Sequence, residues 1–235
     1  MRKPVGVATA GEGAATPIGR SAVLVDYGGV LTLPITGAFR QLSEDLGLDG
    51  EAALRTLSTH EVARAALVEH ECGRLDDEEF EDAFASALSE AGAQVDPRGL
   101  LARIAAHLDL DPPMIEWVRD LRREGTPVAL VSNSLGRDCY ARIDMDELFD
   151  AAVISGHVGV RKPSRRIYEM ASDALGVRPE QCILVDDLEH NLAGAARLGI
   201  HGVLHRTSAA TISAVREALA DPAPSVSAQS AQGRS

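Results

Sequence analysis

Ala22-Val23-Leu24-Val25-Asp26-Tyr27-Gly28-Gly29-Val30-Leu31-Thr32 is the stretch on which the fold turns. Its opening apolar run is short and ends in turn formers, the pattern of a strand buried on both faces. In an open α/β sheet, ligands bind beyond the carboxyl ends of the strands. A carboxylate released at Asp26 and followed by two glycines is therefore well placed to act on one. Gly28 and Gly29 allow the backbone to approach such a ligand closely.

Four further runs, at 128–131, 152–154, 182–185 and 202–204, have the same compact apolar character. Between them lie helical patterns. Residues 113–124 place Ile115, Val118 and Leu121 on one face, 164–175 follow the third strand and 192–198 follow the fourth. This alternation predicts an α/β fold, a Rossmann-like doubly wound parallel sheet. From Leu33 to Asp109 the alternation lapses into helices alone, expected at 38–46, 50–70, 76–91 and 97–108. The expected organisation is a core of 21–32 and 110–220, an inserted all-helical cap at 33–109, and disordered tails at 1–20 and 221–235, where Gly, Ala, Ser and Gln dominate. The acidic run from Asp76 to Asp82 reads as a helix start with a solvated face.

The 235 residues are 45% hydrophobic and 25% charged, which excludes wholesale disorder and a fibrous architecture. A formal net charge of -12 argues against nucleic acid as a partner and repels anions at long range, so an anionic ligand needs local donors and a metal. Cys72, Cys139 and Cys182 fit neither a disulfide framework nor a zinc spacing and read as buried small hydrophobes. No apolar run reaches the roughly 18 residues that a membrane span needs. Residues 1–20 lack the apolar segment of a signal peptide, so the expected compartment is the cytoplasm, without membrane contact. No pattern specifies an oligomeric state.

Three more segments carry chemistry. Ser132-Asn133-Ser134 follows the second strand, where a hydroxyl and the next backbone N–H groups can hold a phosphoryl oxygen, though the same residues also start turns. Gly159-Val160-Arg161-Lys162-Pro163 contains one of only two lysines among the 23 basic residues, the other being Lys3. A compact ammonium can sit between a carboxylate and a phosphoryl oxygen where a planar guanidinium would impose another geometry. Asp186-Asp187 ends the fourth strand, with Asn191 beyond it. Paired carboxylates at a buried strand end repel one another unless a cation neutralises them, and an oxygen-rich set suits Mg2+.

Taken in order, the four segments resemble the haloacid dehalogenase (HAD) superfamily over roughly residues 21–205, and specifically its subfamily with a helical cap after the first motif. Ser155-Gly156-His157-Val158-Gly159-Val160-Arg161-Lys162-Pro163 is similar to the branch of sugar-phosphate phosphatases and the phosphatase domain of soluble epoxide hydrolases. The resemblance implies an Mg2+-dependent phosphatase acting on a small phosphorylated metabolite. Asp26 would be the nucleophile that forms an aspartyl-phosphate, Ser132 and Asn133 the phosphate-binding pair, and Lys162 the residue that steadies the nucleophile and the developing charge. Asp26, Asp187 and the Gly28 carbonyl would hold the metal. Asp186 would support the metal or the lysine, and Asn191 matches a further polar position.

Gly28 departs from the pattern, since the family's phosphatases carry there an aspartate that serves as general acid and base, worth roughly 10² to 10⁴ in rate. Slow turnover of ordinary esters is expected. Acidic leaving groups would relieve the deficit, as would a proton from His60 or His70 in the cap. The alternatives are an impaired HAD-like protein that binds a phosphometabolite or protein partner and, below that, a dehalogenase, whose family pattern also lacks this aspartate.

Overall fold

The structure, a computed structural model, describes residues 19–220. The stretches expected to be disordered tails lie outside these residues, save Gly19 and Arg20. Five strands, β1 (Ala22–Val25), β2 (Val128–Ser132), β3 (Ala151–Ile154), β4 (Cys182–Asp186) and β5 (His201–Leu204), form one parallel sheet in the order β3-β2-β1-β4-β5. All five were expected, within a residue at either end.

Eleven helices surround the sheet among the described residues. In chain order they are α1 (Ile35–Asp45), α2 (Ala52–Thr59), α3 (Glu61–Glu71), α4 (Asp77–Glu90), α5 (Leu100–Ala106), α6 (Pro112–Arg123), α7 (Met145–Leu148), α8 (Ser155–Val158), α9 (Arg165–Ala174), α10 (Glu189–Ala196) and α11 (Ser208–Ala220).

Successive residues of the buried strands feed opposite faces. Val23, Val25, Val128, Leu130, Ile183 and Val185 pack towards α6, α11 and the helices α1–α5. Ala22, Leu24, Ala129, Val131 and Leu184 pack towards α9 and α10. Burying each Val or Leu contributes about 1.5–3 kcal/mol, so these strands admit polar side chains only at their carboxyl ends. Val25 lies opposite Leu130 and Val185 in the register, which brings the next residues outward, Asp26 and Asp186, to one edge.

The chain leaves and re-enters the core through two adjacent segments. Leu33 N–H donates to the Asp109 carbonyl at 2.7 Å, Asp111 N–H donates to the Leu31 carbonyl at 2.8 Å, and Thr32 bridges Leu110. At the far side, the turn after α3 meets α8 backbone against backbone. A Cβ on Gly73, whose φ is +68°, would collide with the Gly156 carbonyl.

Several elements differ from expectation. The helix expected at 50–70 is two, α2 and α3, broken at His60. There the backbone is extended (φ -75°, ψ 122°) and the ring Nδ1 accepts from Ala63 N–H at 3.4 Å, starting a new helix. The helix expected at 192–198 begins earlier, at Glu189, because its first turn is polar and faces a cavity instead of the core. Helix α11 went unread: its buried face is only Thr211, Val215 and Ala218, in an Ala- and Ser-rich stretch with weak periodicity. The short α7 and α8 were missed as well. In the acidic run, Asp76 forms a capping box with Glu79, as a helix start should. Glu81 is not solvated, however; it is buried and accepts from Gly99 and Leu101 N–H, holding the start of α5.

Candidate active site

Asp26 stands just beyond β1, and its Oδ1 accepts from the Tyr27 N–H at 2.7 Å. The same oxygen lies 2.7 Å from Lys162 Nζ, which also donates to Asp186 Oδ2 at 2.7 Å. Lys162 is 1% exposed, Asp186 0% and Asp26 7%, so this ion cluster is withdrawn from water. Leaving such a set without its cation would be strongly destabilising. The sequence placed these residues far apart, and parallel pairing of β1 with β4 brings them together.

Each partner is itself held. Asn133, at the end of β2, accepts from Lys162 N–H through Oδ1 at 2.8 Å and donates Nδ2 to the Lys162 carbonyl at 3.3 Å. Its side chain therefore positions the lysine backbone, and the residue also lines the cavity. Ser132 Oγ accepts from Tyr140 OH at 2.9 Å and lines the same cavity as Asp26. Asp186 accepts from Leu188 N–H at 3.0 Å and from Asn191 Nδ2 at 2.9 Å, besides Lys162. These donors occupy much of its lone-pair capacity, which favours the lysine-supporting role over direct metal ligation.

Burial pushes Asp26 up to about 7, against the pull of Lys162 and with help from the charge of Asp186. Asp187 is also raised, by burial and by Asp186. For Lys162, burial disfavours the ammonium, but Asp26 and Asp186 outweigh it and the net direction is up. One ammonium thus faces three carboxylates whose oxygens lie within 4.8 Å of one another. This surplus of negative charge is what a divalent cation relieves. The fit has a second support. Asn191 Nδ2 must face Asp186, which leaves the buried Oδ1 of Asn191 with no donor. Gly29 has φ +73°, and a Cβ there would lie 2.5 Å from Asp187 Oδ2, so only glycine lets the first loop close on that carboxylate.

A cavity of about 260 Å³ opens over these groups. Gly28, Ser132, Asn133 and Asp187 line its polar end, and Ile35, Phe39, Leu54, Leu57, Leu67 and Leu135 its apolar walls. Where the expected aspartate would stand, a Cβ on Gly28 would meet Ile35 Cγ2 at 3.2 Å. His60 pairs with Glu90, and His70 pairs with Asp77 and stacks on Phe80; neither lines the cavity, so neither is placed to supply the missing proton. Two lining residues escaped the sequence reading. Arg161 had a signal in its adjacency to Lys162. Glu71, at the end of α3, had none, since nothing in one helix reveals which core segment it meets.

The chain matches the haloacid dehalogenase-like hydrolase family over residues 21–199. It is 25% identical over 201 residues to bifunctional epoxide hydrolase 2 of Mus musculus, covering 79% of this chain and 36% of that protein. It is 32% identical over 131 residues to phosphoserine phosphatase of Thermus thermophilus, covering 52% of this chain and 53% of that protein. The matches thus span about a third to a half of these relatives' length. A HAD family enzyme of Bacteroides thetaiotaomicron, solved with magnesium and inorganic phosphate, shares the fold at a TM-score of 0.59 and 20% identity, over 80% of this chain and 95% of that one. A dehalogenase of known structure aligns at a TM-score of 0.61 and 25% identity, over 78% and 84%. No helix among the described residues is long and apolar enough to cross a membrane. With a parallel sheet that gathers Asp26, Ser132, Lys162 and Asp186 at one edge, and a family match across most of its length, this chain belongs to the haloacid dehalogenase-like hydrolases.

Proposed function

We propose that the protein is an Mg2+-dependent phosphohydrolase that acts on a small phosphorylated metabolite through Asp26. The observation that carries this reading is the buried cluster in which Lys162 joins Asp26 to Asp186 at 2.7 Å each. A carboxylate presented by a loop beside an ammonium, with the Ser132 hydroxyl lining the same cavity, is suited to attack phosphorus while its charge is balanced. Asp26, Asp187 and the Gly28 carbonyl would hold the cation, which supplies positive charge to the phosphoryl oxygens. Magnesium and phosphate in the Bacteroides relative support this assignment.

The chain's own residues then divide the work. Asp26 attacks in line and becomes an aspartyl-phosphate. Lys162 holds Asp26 in place and balances the growing negative charge. Asn133 and Asp186 fix Lys162 from its backbone and its tip. The helices α1–α5 act as the cap, and Phe39, Leu54 and Leu57 exclude water from the chamber. Preorganised charge in a water-poor site is worth more than the same charge in bulk solvent.

The test is turnover of p-nitrophenyl phosphate with Mg2+, beside an Asp26→Asn control and a chelator. The expected result is phosphate release that both remove. Turnover no faster than the control would end the catalytic reading in favour of a binding role. Halide release from a 2-haloacid, unaffected by chelator, would replace it with dehalogenation, the reading that the lack of an aspartate at Gly28 and the structural likeness to a dehalogenase favour.

A further inference from the structure

The phosphatase reading leaves the leaving-group oxygen without a proton donor at Gly28, and Ile35 Cγ2 occupies the space beside it. Few other groups lining the cavity could donate one. Burial pushes Tyr27 and Cys139 each up to about 12, too high to exchange a proton readily near neutrality. His190 is exposed at the cavity's margin. Among the lining carboxyls, Asp26 and Asp187 belong to the nucleophile end, and Glu71 is the one supplied by the helical insertion.

Glu71 ends α3 and is brought against the core by the close contact of Gly73 with Gly156. Its side chain is 12% exposed, and Oε2 lies 2.7 Å from Arg161 Nε. That contact is close without being a well-formed hydrogen bond, since neither atom finds a partner of proper geometry. Asp186, by contrast, accepts a well-formed hydrogen bond from Lys162 at 2.7 Å. Burial pushes Glu71 up to about 7, against the pull of Arg161 and Lys162.

We propose that Glu71 is the general acid and base of this enzyme, reaching the leaving-group oxygen from the cap side of the cavity and replacing the aspartate absent at Gly28. This rests on the phosphatase reading above. In the first step Asp26 forms its bond to phosphorus, the P–O bond to the alcohol breaks, and the Glu71 proton passes to the departing oxygen. In the second, the Glu71 carboxylate takes a proton from water as that water attacks phosphorus and the bond to Asp26 breaks. Glu71 ends protonated, ready for another cycle.

The test compares phenyl, p-nitrophenyl and 2,4-dinitrophenyl phosphates, whose leaving groups need a proton to decreasing extents. With Mg2+ present, the wild-type kcat/KM is expected to vary little across the series. Glu71→Gln is expected to lose about 100-fold on phenyl phosphate and less than about 3-fold on 2,4-dinitrophenyl phosphate, the signature of a missing acid. An equal loss on all three would make Glu71 a structural or binding residue and overturn the proposal, as would no loss. A steep dependence in the wild type overturns it without any variant. The two readings separate cleanly: Asp26-dependent turnover of 2,4-dinitrophenyl phosphate with a steep series keeps the phosphatase and removes Glu71, whereas no turnover of any ester removes both.

Discussion

The cavity has two ends, each built on a carboxylate and a cation at 2.7 Å, and they are bonded very differently. At the core end, Lys162 is fixed by Asp26 and Asp186 at its tip and by Asn133 along its backbone. At the end formed by α3, Glu71 and Arg161 touch without the alignment of a hydrogen bond, and Arg161 is 30% exposed. The difference teaches that proximity of opposite charges does not measure coupling. In the first cluster one sealed ammonium is shared by two carboxylates that also repel one another, whereas in the second a single carboxyl answers to a single, part-exposed cation.

Removing each cation should expose this contrast. Lys162→Met strands two buried carboxylates, which costs about 3–5 kcal/mol and should lower Tm by roughly 10 °C. Arg161→Met should cost about 1 kcal/mol, since Arg161 keeps 30% of its surface in water and gives up less desolvation than Lys162. Thermal melts of the two variants check this, and equal shifts would erase the distinction between the ends.

A smaller effect follows from pH. Because Asp26 is raised from 3.8 to about 7, its contribution to stability is fully present below about pH 4 and is lost as pH rises through 7. Without divalent cations, Asp26→Asn should therefore raise Tm, by more at pH 8 than at pH 5, with a difference on the order of 2 kcal/mol. Adding Mg2+ at pH 8 should stabilise the wild type but not the variant. Equal stabilisation of both would remove Asp26 from the cation's ligands.

The smallest expected effect concerns Ile35. Gly28→Asp alone crowds Ile35 Cγ2 at 3.2 Å. In a Glu71→Gln background, Gly28→Asp should regain less than about 3-fold on phenyl phosphate, and adding Ile35→Ala should raise this to roughly tenfold, within the range of general acid catalysis. Assays of the paired variants decide whether the side chain or the vacancy at 28 limits the rate.

The core end was legible because its information is local. Asp26 follows directly on a strand, Ser132 and Asp186 end theirs, and Lys162 lies in the loop after the short α8, while parallel register converts sequence position into a common edge. The roles of Asn133 and Asp186 were less so, since a strand-end polar residue looks alike whether it binds a ligand or holds a neighbour. The end formed by α3 was illegible for a plainer reason. Glu71 closes an ordinary amphipathic helix, and only the tertiary meeting of Gly73 with Gly156 gives it a partner. His60 shows the converse: a residue read as mid-helix and a possible acid turns out to be the break between α2 and α3.

The depth at which Lys162 lies has a practical corollary. It is the only lysine between Arg20 and the end of the chain, and its amine is sealed in the fold at 1% exposure. Amine-directed dyes, crosslinkers and activated resins should consequently leave Lys162, and with it the pocket, chemically untouched in the folded protein. Any slow incorporation of such a reagent at Lys162 would then act as a clock for transient opening of the interior.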